Sequence, residues 1–360
     1  MVFVVFIVAI IIIGFVVKKI WDCCIKKDEE KTTSDYLIQG GTDVILASLP
    51  TFSDSFLQLL YDFFQVPKTA TDDGPSLWWL IVIGFILIAI GVILIIVDAS
   101  AKYVVLNMPG TIHHTIEDGM IKALKTKKYE EIEISTAKSQ EEMQRISQAQ
   151  ANKVLDDIER QMGRFNSQTR CRRCFTGMAP IPFIIYAGTK HKGNDIKYYL
   201  EFNKATQQYL KLKNDKSFPK LHKPAVDTVD ADEIVVAVST TARITESNIK
   251  QFGKPVYCLS LDETKDNAVF SKRQLDDYVN ETVTFISGMC TKNSNIVRVD
   301  LILATQACFA YAFGKTLVLM QNRVPQIVSY HYVAPSYKVG LIINGNSAGQ
   351  IVKVKDRKDV

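Results

Sequence analysis

The stretch VRVDLILATQACFAYAFGKTL, residues 297–317, decides the fold. It opens with an apolar run that ends near Ala304, and a run that is apolar on both faces is typical of a strand buried in a parallel sheet. Thr305 and Gln306 follow, and Ala307 then begins a segment of small residues that reads as a helix. A strand that leads through a short loop into a helix is the building unit of an α/β domain.

The same alternation extends outward over residues 178–352. Short apolar runs predict seven strands, at residues 181–189, 232–241, 255–261, 297–306, 316–321, 325–333 and 339–344. Helices are predicted between them, over residues 272–290 and 307–313. This order predicts an α/β domain with a largely parallel sheet, followed by a tail at residues 353–360.

Two apolar segments lie near the N-terminus. Residues 1–17 carry no charge, and residues 77–97 read LWWLIVIGFILIAIGVILIIV. Because a bilayer core needs about 20 apolar residues, transmembrane helices are predicted over residues 1–20 and 77–97. The first segment lacks the charged start and the cleavage site of a signal peptide. Gly84 and Gly91, one heptad apart, would allow another helix to approach the second segment closely.

The loop between these segments, residues 21–76, is predicted to be extracytoplasmic and contains an amphipathic helix at residues 52–66. Phe56 and Phe63 belong to its apolar stripe, while polar residues fall on the other side. We expect this helix to lie in the membrane interface or to contact another subunit. The alternative is that its stripe packs against other residues of the same loop.

Residues 98–177 are interpreted as a helical linker before the α/β domain. The clearest helical period runs from residue 138 to residue 165, where Ile146, Leu155, Ile158 and Met162 share one apolar stripe. The stripe indicates either a coiled-coil stalk or a helix that packs on the following domain, and the small number of heptads favours packing.

The composition disfavours several classes of function. A net charge of +5 indicates no surface for duplex DNA, so DNA is not expected as a partner. Seven cysteines without a repeated spacing do not predict a disulfide framework, which favours a cytosolic α/β domain. The sequence has no Walker phosphate loop, nucleophile elbow or HExxH helix, and the single CxxC at Cys171 and Cys174 is not expected to bind a metal.

Three loops that follow predicted strands carry the candidate ligand-binding residues. Ligands of doubly wound sheets bind outside the carboxyl ends of the strands, where hydroxyls, backbone amides and cations suit a nucleotide. Hydroxyl residues also cap helices where no ligand is present, so each loop alone is a weak indication. The candidates are Gly188, Thr189 and Lys190 in the first loop, Ser239, Thr240 and Arg243 in the second, and Thr305 and Gln306 in the third.

The C-terminal third resembles a known sensor family. Residues 297–317, followed by PQIVSYHYVAPSYKVGLII at residues 325–343, are similar to the second half of the SAVED domains that are fused to effectors of bacterial cyclic-oligonucleotide antiphage signalling (CBASS). The resemblance implies two fused Rossmann-like halves that bind a cyclic tri- or tetranucleotide, with Tyr330 and Tyr332 near the ligand. The chain departs from the family pattern at Gln306, where many members have proline, and at Lys315, where they have arginine.

Two predicted membrane helices before such a domain resemble the membrane-anchored class of these effectors. The leading hypothesis is therefore a receptor without enzymatic activity in the bacterial inner membrane. It would bind a cyclic oligonucleotide from a cognate nucleotidyltransferase, self-associate and disrupt the lipid bilayer. Lysines after the first segment favour a cytoplasmic loop, but the nucleotide ligand favours a cytoplasmic sensor domain. The alternatives are a membrane-tethered nuclease that degrades the messenger, and a scaffold whose α/β domain binds a protein.

Overall fold

The computed structural model describes residue 34 and residues 36–44, 78–100, 102–110, 123–124, 129–136, 140–169, 171–193, 195–320 and 324–354. The chain divides into two compact units, Met1–Ala101 and Lys102–Val360, and each is described by itself. The predicted helices at residues 1–20 and 52–66, with Phe56 and Phe63, lie outside the described residues.

The first unit contains helix α1, residues 36–44, and helix α2, Trp78–Ser100. The helix predicted at residues 77–97 is thus present as a helix. The two helices approach closely at glycines, because a Cβ on Gly91 would lie 2.7 Å from Cγ1 of Ile38 and one on Gly41 would lie 2.6 Å from the carbonyl oxygen of Gly84. Gly84 and Gly91 thus face a helix of the same chain, and their role in the association of several membrane spans stays a prediction.

Much of the remaining surface of α2 consists of large apolar side chains that are between 40% and 58% exposed, namely Val82, Ile83, Phe85, Ile86, Ile90, Ile93 and Leu94. A search of the described residues nevertheless finds no helix with the length and apolar character needed to cross a bilayer. The two transmembrane helices therefore remain predictions from the sequence.

The second unit contains two sheets. Sheet 1 has the strand order β2-β1-β3-β4-β5, in which the first four are parallel and β5 is antiparallel to β4. Its strands are β1 (Lys102–Met108), β2 (Tyr129–Glu133), β3 (Cys171–Gly177), β4 (Tyr198–Asn203) and β5 (Gln208–Lys211). Its helices are α3 (Gln140–Arg145), α4 (Gln148–Ser167) and α5 (Ile181–Thr189).

Sheet 2 has the order β11-β10-β9-β8-β6-β7, in which β6 to β9 are parallel and the last two strands are antiparallel to their neighbours. Its strands are β6 (Glu233–Ser239), β7 (Val256–Ser260), β8 (Arg298–Ala304), β9 (Gln326–Val333), β10 (Ser336–Ile342) and β11 (Ile351–Lys353). Its helices are α6 (Glu246–Ile249), which continues into the 3₁₀ turn Lys250–Phe252, α7 (Lys272–Lys292) and α8 (Ala307–Leu319).

The two sheets repeat one topology. Strands β1 to β5 correspond in order and direction to β6 to β10, and both halves show the doubly wound order 2-1-3-4-5. Each third strand is preceded by a long helix, α4 or α7, and followed by a central helix, α5 or α8. The chain therefore contains the two Rossmann-like halves that the resemblance implied.

The first half begins earlier than predicted. Residues 98–177 were expected to form a helical linker, but they contain β1, β2 and β3 in addition to helices. Helix α4 accounts for the helical stripe, begins with a capping box between Ser147 and Gln150, and buries Leu155, Ile158 and Met162. The stripe thus packs on the domain and does not form a coiled-coil stalk.

Two predicted strands are helical. Residues 181–189 form α5, and the strand predicted at residues 316–321 coincides with the end of α8, which continues to Leu319. Both central helices are apolar on nearly all sides because they lie inside the unit, so hydrophobic periodicity cannot distinguish them from buried strands. The strands predicted at 232–241, 255–261, 297–306 and 325–333 are confirmed as β6 to β9, and that at 339–344 overlaps β10.

Candidate ligand-binding face

Each half has a topological switch point, where the chain leaves the first and third strands toward opposite sides. Ligands of open α/β sheets bind at the carboxyl ends of strands beside such a point. In the first half these ends are residues 109–110 after β1 and 178–180 after β3, and in the second half they are residues 240–243 after β6 and 305–306 after β8. We call these four segments the strand-end face.

Both switch points lie at the same end of the central helices. Glu201 Oε1, near the carboxyl end of β4, accepts a hydrogen bond of 2.6 Å from the backbone nitrogen of Cys308 in the first turn of α8. The start of α8 is therefore level with the end of sheet 1, where α5 also starts. At the other end, the last turns of α5 and α8 line one cavity of about 220 Å³. The two helices thus run side by side in the same direction.

The segment after β6 carries the most exposed polar side chain of the face. The backbone nitrogens of Thr240 and Thr241 donate to Ala304 O at 3.0 and 2.9 Å, which joins the ends of β6 and β8. Ser239 Oγ accepts a hydrogen bond from Ile244 N at 3.1 Å and is buried. The Arg243 side chain is exposed, so its guanidinium is available to an anion.

The Thr240 hydroxyl is unusual. The residue is fully buried, and its Oγ1 has no hydrogen-bond partner among the residues that the structure describes. A buried hydroxyl without a partner costs about 1–3 kcal/mol. A ligand group or a water that reached this position after a small movement of the loop would recover that free energy.

The segment after β8 is largely structural. Gln306 is 6% exposed, its Oε1 accepts from Val269 N at 2.6 Å, and its Nε2 donates to Val269 O at 2.9 Å. Its amide therefore fixes the segment that precedes α7. Thr305 is half-buried on the face. The N-terminal turn of α8 faces the carboxylate of Glu201.

The first half contributes backbone to the face. Met178 N and Ala179 N donate to Met108 O at 2.8 and 3.2 Å, and Thr136 Oγ1 donates to Pro109 O at 2.9 Å. A Cβ on Gly110 would collide with the Met178 backbone and lie 3.1 Å from its Cβ, so this turn requires glycine. Sequence reasoning missed these residues because β1 and β3 were not recognised as strands.

The first predicted loop lies elsewhere, because Gly188, Thr189 and Lys190 are at the end of a helix and not of a strand. Gly188 contacts α8, and Thr189 Oγ1 donates to Tyr186 O at 2.7 Å. Lys190 Nζ lies 2.7 Å from Glu159 Oε1 and 4.7 Å from the centroid of the Tyr186 ring. These residues lie at the cavity end of the central helices, opposite the strand-end face.

Neighbouring residues stabilise the charged form of Lys190. Burial opposes that charge, but hydrogen bonds to Glu159 and Tyr186 raise the pKa of Lys190 above its ordinary value. The hydrogen bond from Lys190, and after it the one from the Tyr186 hydroxyl, lower the pKa of Glu159. Lys190 thus has a carboxylate partner within the chain.

The two tyrosines implied by the resemblance have different surroundings. Tyr330 is 2% exposed, and its hydroxyl accepts from Arg298 Nη2 at 2.5 Å and donates to Asp300 Oδ1 at 3.1 Å. It is therefore part of a buried ion-pair network. Tyr332 is 39% exposed and lies near the carboxyl end of β9, where its hydroxyl accepts from Asn248 Nδ2 at 3.4 Å.

The described residues contain no group of three or more His, Cys, Asp or Glu side chains that could hold a metal ion. Cys171 and Cys174 lie on β3, and burial raises the pKa of the Cys174 thiol to about 12.

Comparison with solved structures finds similarity to Cap4 receptors. The chain has a TM-score of 0.49 and 13% identity to the Acinetobacter baumannii Cap4 SAVED/CARF-domain containing receptor with the cyclic trinucleotide 2'3'3'-cAAA, over 73% of this chain and 56% of that one. The same receptor with 3'3'3'-cAAA gives 0.45 and 14%, over 71% and 55%. The Moraxella osloensis Cap4 receptor gives 0.44 and 12%, over 73% and 54%. The chain thus spans little more than half the length of each.

No curated protein sequence matches the chain. A family model does match, over residues 154–343, which is 190 of the 360 residues and covers α5, α7, α8 and most of both sheets. The chain therefore belongs to the SAVED family, the SMODS-associated and fused to various effectors sensor domain.

Proposed function

We propose that this chain is a CBASS receptor that binds a cyclic tri- or tetranucleotide on the strand-end face. The observation that carries the proposal is the duplicated switch point, which places two equivalent strand ends on one side of a domain from a sensor family. A cyclic oligonucleotide repeats its phosphate and base around a ring. Two related halves side by side suit such a ligand better than one asymmetric pocket would.

The second half supplies the groups that would recognise the ring. Arg243 is exposed beside the end of β6 and would pair with a phosphate, for which the planar guanidinium is well suited. The exposed ring of Tyr332 would stack on a base, a contact worth about 1–3 kcal/mol. Thr305 follows the neighbouring strand β8 and would lie beside the ligand. The buried Thr240 hydroxyl would gain a hydrogen-bond partner.

The proposed response takes place at a membrane. Ligand from a cognate nucleotidyltransferase would cause the receptor to self-associate and to disrupt the bacterial inner membrane, without a catalytic step. The exposed apolar side chains of α2 support this part, because a contiguous apolar surface marks a contact with lipid or with protein. The predicted helix at residues 52–66 would lie in the interface of that membrane.

The test combines three readouts on the full-length protein in detergent. Cyclic di-, tri- and tetranucleotides are added in turn, with linear trinucleotides as controls, and binding, particle mass and ligand integrity are followed together. We expect saturable binding of one cyclic species, larger particles and intact ligand. Consumption of the ligand would make the chain a nuclease, and failure of every cyclic species to bind would refute the receptor proposal.

A further inference from the structure

Glu201 is a buried carboxylate at the junction of the two halves. It belongs to β4 in the first half, is 5% exposed, and accepts a 2.6 Å hydrogen bond from Cys308 N in the second half. Phe309 N and Ala310 N already donate to Gln306 O at 3.1 and 3.4 Å. The carboxylate therefore occupies the place where the N-terminus of α8 would otherwise receive an anion.

The N-terminus of α5 has few N–H groups to offer an anion. Pro182 has no N–H group, while Phe183 N and Ile184 N donate to Pro180 O at 3.0 and 3.3 Å. In the described ranges, the first turn of α5 thus has only the Ile181 N–H group left for an anion, and that of α8 is occupied by Glu201. This is contrary to the usual arrangement in Rossmann-like sites, where a phosphate sits on the helix that follows a switch-point strand.

The free cation of the face lies on a different segment. Arg243 has neither an ion pair nor a hydrogen bond to any residue in the described ranges, and its side chain is exposed. It follows β6, whereas Glu201 closes the helix that follows β8. Charge is thus separated, with the buried Glu201 carboxyl group beneath the start of α8 and the Arg243 cation after β6.

We infer that Glu201 is a specificity-determining residue that keeps the ligand's phosphates off the start of α8 and directs them to the segment after β6. This inference rests on the proposed function. The ligand would then present a ribose or a base to α8. A phosphate placed at α8 would meet the Glu201 carboxylate inside a weakly polar environment, where like charges repel strongly.

Protonation of Glu201 would relax this exclusion. The titratable group that faces its carboxyl is the Cys308 thiol, whose own pKa burial raises well above its ordinary value. Burial also raises the pKa of Glu201 to about 7, although its hydrogen bonds to the start of α8 act in the opposite direction. Neutral Glu201 still offers a carbonyl oxygen to Cys308 N, so the helix keeps its cap while the charge disappears.

The test compares wild type with Glu201→Gln in titrations of the cyclic oligonucleotide that binds, from pH 6 to pH 8. Glutamine keeps the size and the acceptor oxygen, so the fold should survive. We expect wild-type affinity to fall by about tenfold as Glu201 ionises, and the variant to bind equally well at both pH values. Glu159→Gln, which removes the same charge at the cavity end, should follow the wild-type curve.

Each outcome decides a different question. Parallel pH profiles for wild type and Glu201→Gln would overturn the role of Glu201 while leaving the receptor proposal intact. Failure of both proteins to bind any cyclic oligonucleotide would instead refute the proposed function. A carboxyl ¹³C titration of the ligand-free protein supplies an independent check: a Glu201 that ionises below pH 5 cannot produce the expected dependence.

Discussion

Gly188 and Gly314 contact each other where the central helices α5 and α8 cross. A Cβ on Gly188 would lie 3.1 Å from Gly314 Cα and collide with the carbonyl oxygen of Tyr311. A Cβ on Gly314 would lie 3.2 Å from Gly188 Cα and collide with the carbonyl oxygen of Ile185. The two contacts are equivalent, because Gly314 follows Gly188 by 126 residues (314 − 188) and Tyr311 follows Ile185 by the same number (311 − 185). This equivalence indicates an internal two-fold relation between the halves.

Alanine at either glycine of the crossing should therefore separate the helices. We expect Gly188→Ala or Gly314→Ala to lower the free energy of unfolding by about 1–3 kcal/mol or more, because the added methyl group meets backbone that cannot move aside. Urea denaturation measures the effect. Gly163→Ala in α4 is the matched control: its Cβ would meet nothing within 4 Å, so the protein should gain about 0.5–1 kcal/mol. Wild-type stability in both crossing variants would contradict the packing.

Two charge reversals distinguish the ends of the central helices. Arg243→Glu should weaken ligand binding by about 1–3 kcal/mol, since it replaces a phosphate partner with a like charge. Lys190→Glu should leave the affinity unchanged, because Lys190 lies at the cavity end and pairs with Glu159. Calorimetric titration measures both. Loss of affinity in the Lys190 variant alone would move the site to the other end.

The ligand-free protein should show the titration of Glu201 in its stability. Because the pKa of Glu201 is raised to about 7 in the folded chain, the folded state binds this proton more tightly than the unfolded state does. Its contribution to stability is fully present below about pH 4.5 and is lost as the pH rises through about 7. Relative to Glu201→Gln, wild type should lose about 2–3 kcal/mol between pH 5 and pH 8. Urea denaturation curves that stay parallel would exclude the shift.

The exposed surface of α2 should determine membrane association. Ile86 and Ile93 are 51% and 58% exposed, and their replacement together by aspartate should move the protein from the floating to the pelleted fraction in liposome flotation, because charges in hydrocarbon cost several kcal/mol. Ligand affinity should not change. If the double variant floats as wild type does, α2 is not the element that holds the lipid.

The loop before α2 has its own test. Phe56→Ser together with Phe63→Ser should abolish membrane damage, measured as dye release from liposomes, because the apolar stripe of the predicted interfacial helix would be lost. Binding of the cyclic oligonucleotide should remain. Dye release at the wild-type rate would remove this helix from the mechanism.

Buried strands of the second half could be predicted because their patterns are simple. Leu301 to Ala304 and Ile234 to Val238 are short apolar runs bounded by polar residues, and both belong to central strands. Strands of the first half could not be predicted because they contain polar residues. Strand β3 reads CRRCFTG, in which Arg173 is only 4% exposed because its guanidinium donates to Asn166 O and Lys192 O at 2.8 Å. No local sequence pattern predicts such a buried arginine.

The candidate site was predictable where it follows recognised strands and not elsewhere. Ser239, Thr240, Arg243 and Thr305 lie on or beside the strand-end face because β6 and β8 were identified correctly. Lys190 was misplaced because α5, surrounded by other elements, has the composition of a strand. Closure of the start of α8 by Glu201 was not foreseeable, since it depends on a contact between residues 107 positions apart.

The central claim is that a cyclic oligonucleotide binds across the strand-end face of both halves. Hydrogen exchange of the full-length protein, with and without a saturating cyclic oligonucleotide, tests it most directly. We expect slower exchange in residues 240–245 and 178–179 together, with no change in residues 186–190 and 343–348 around the cavity. Protection confined to the cavity end, or no protection with any cyclic oligonucleotide, would contradict the claim.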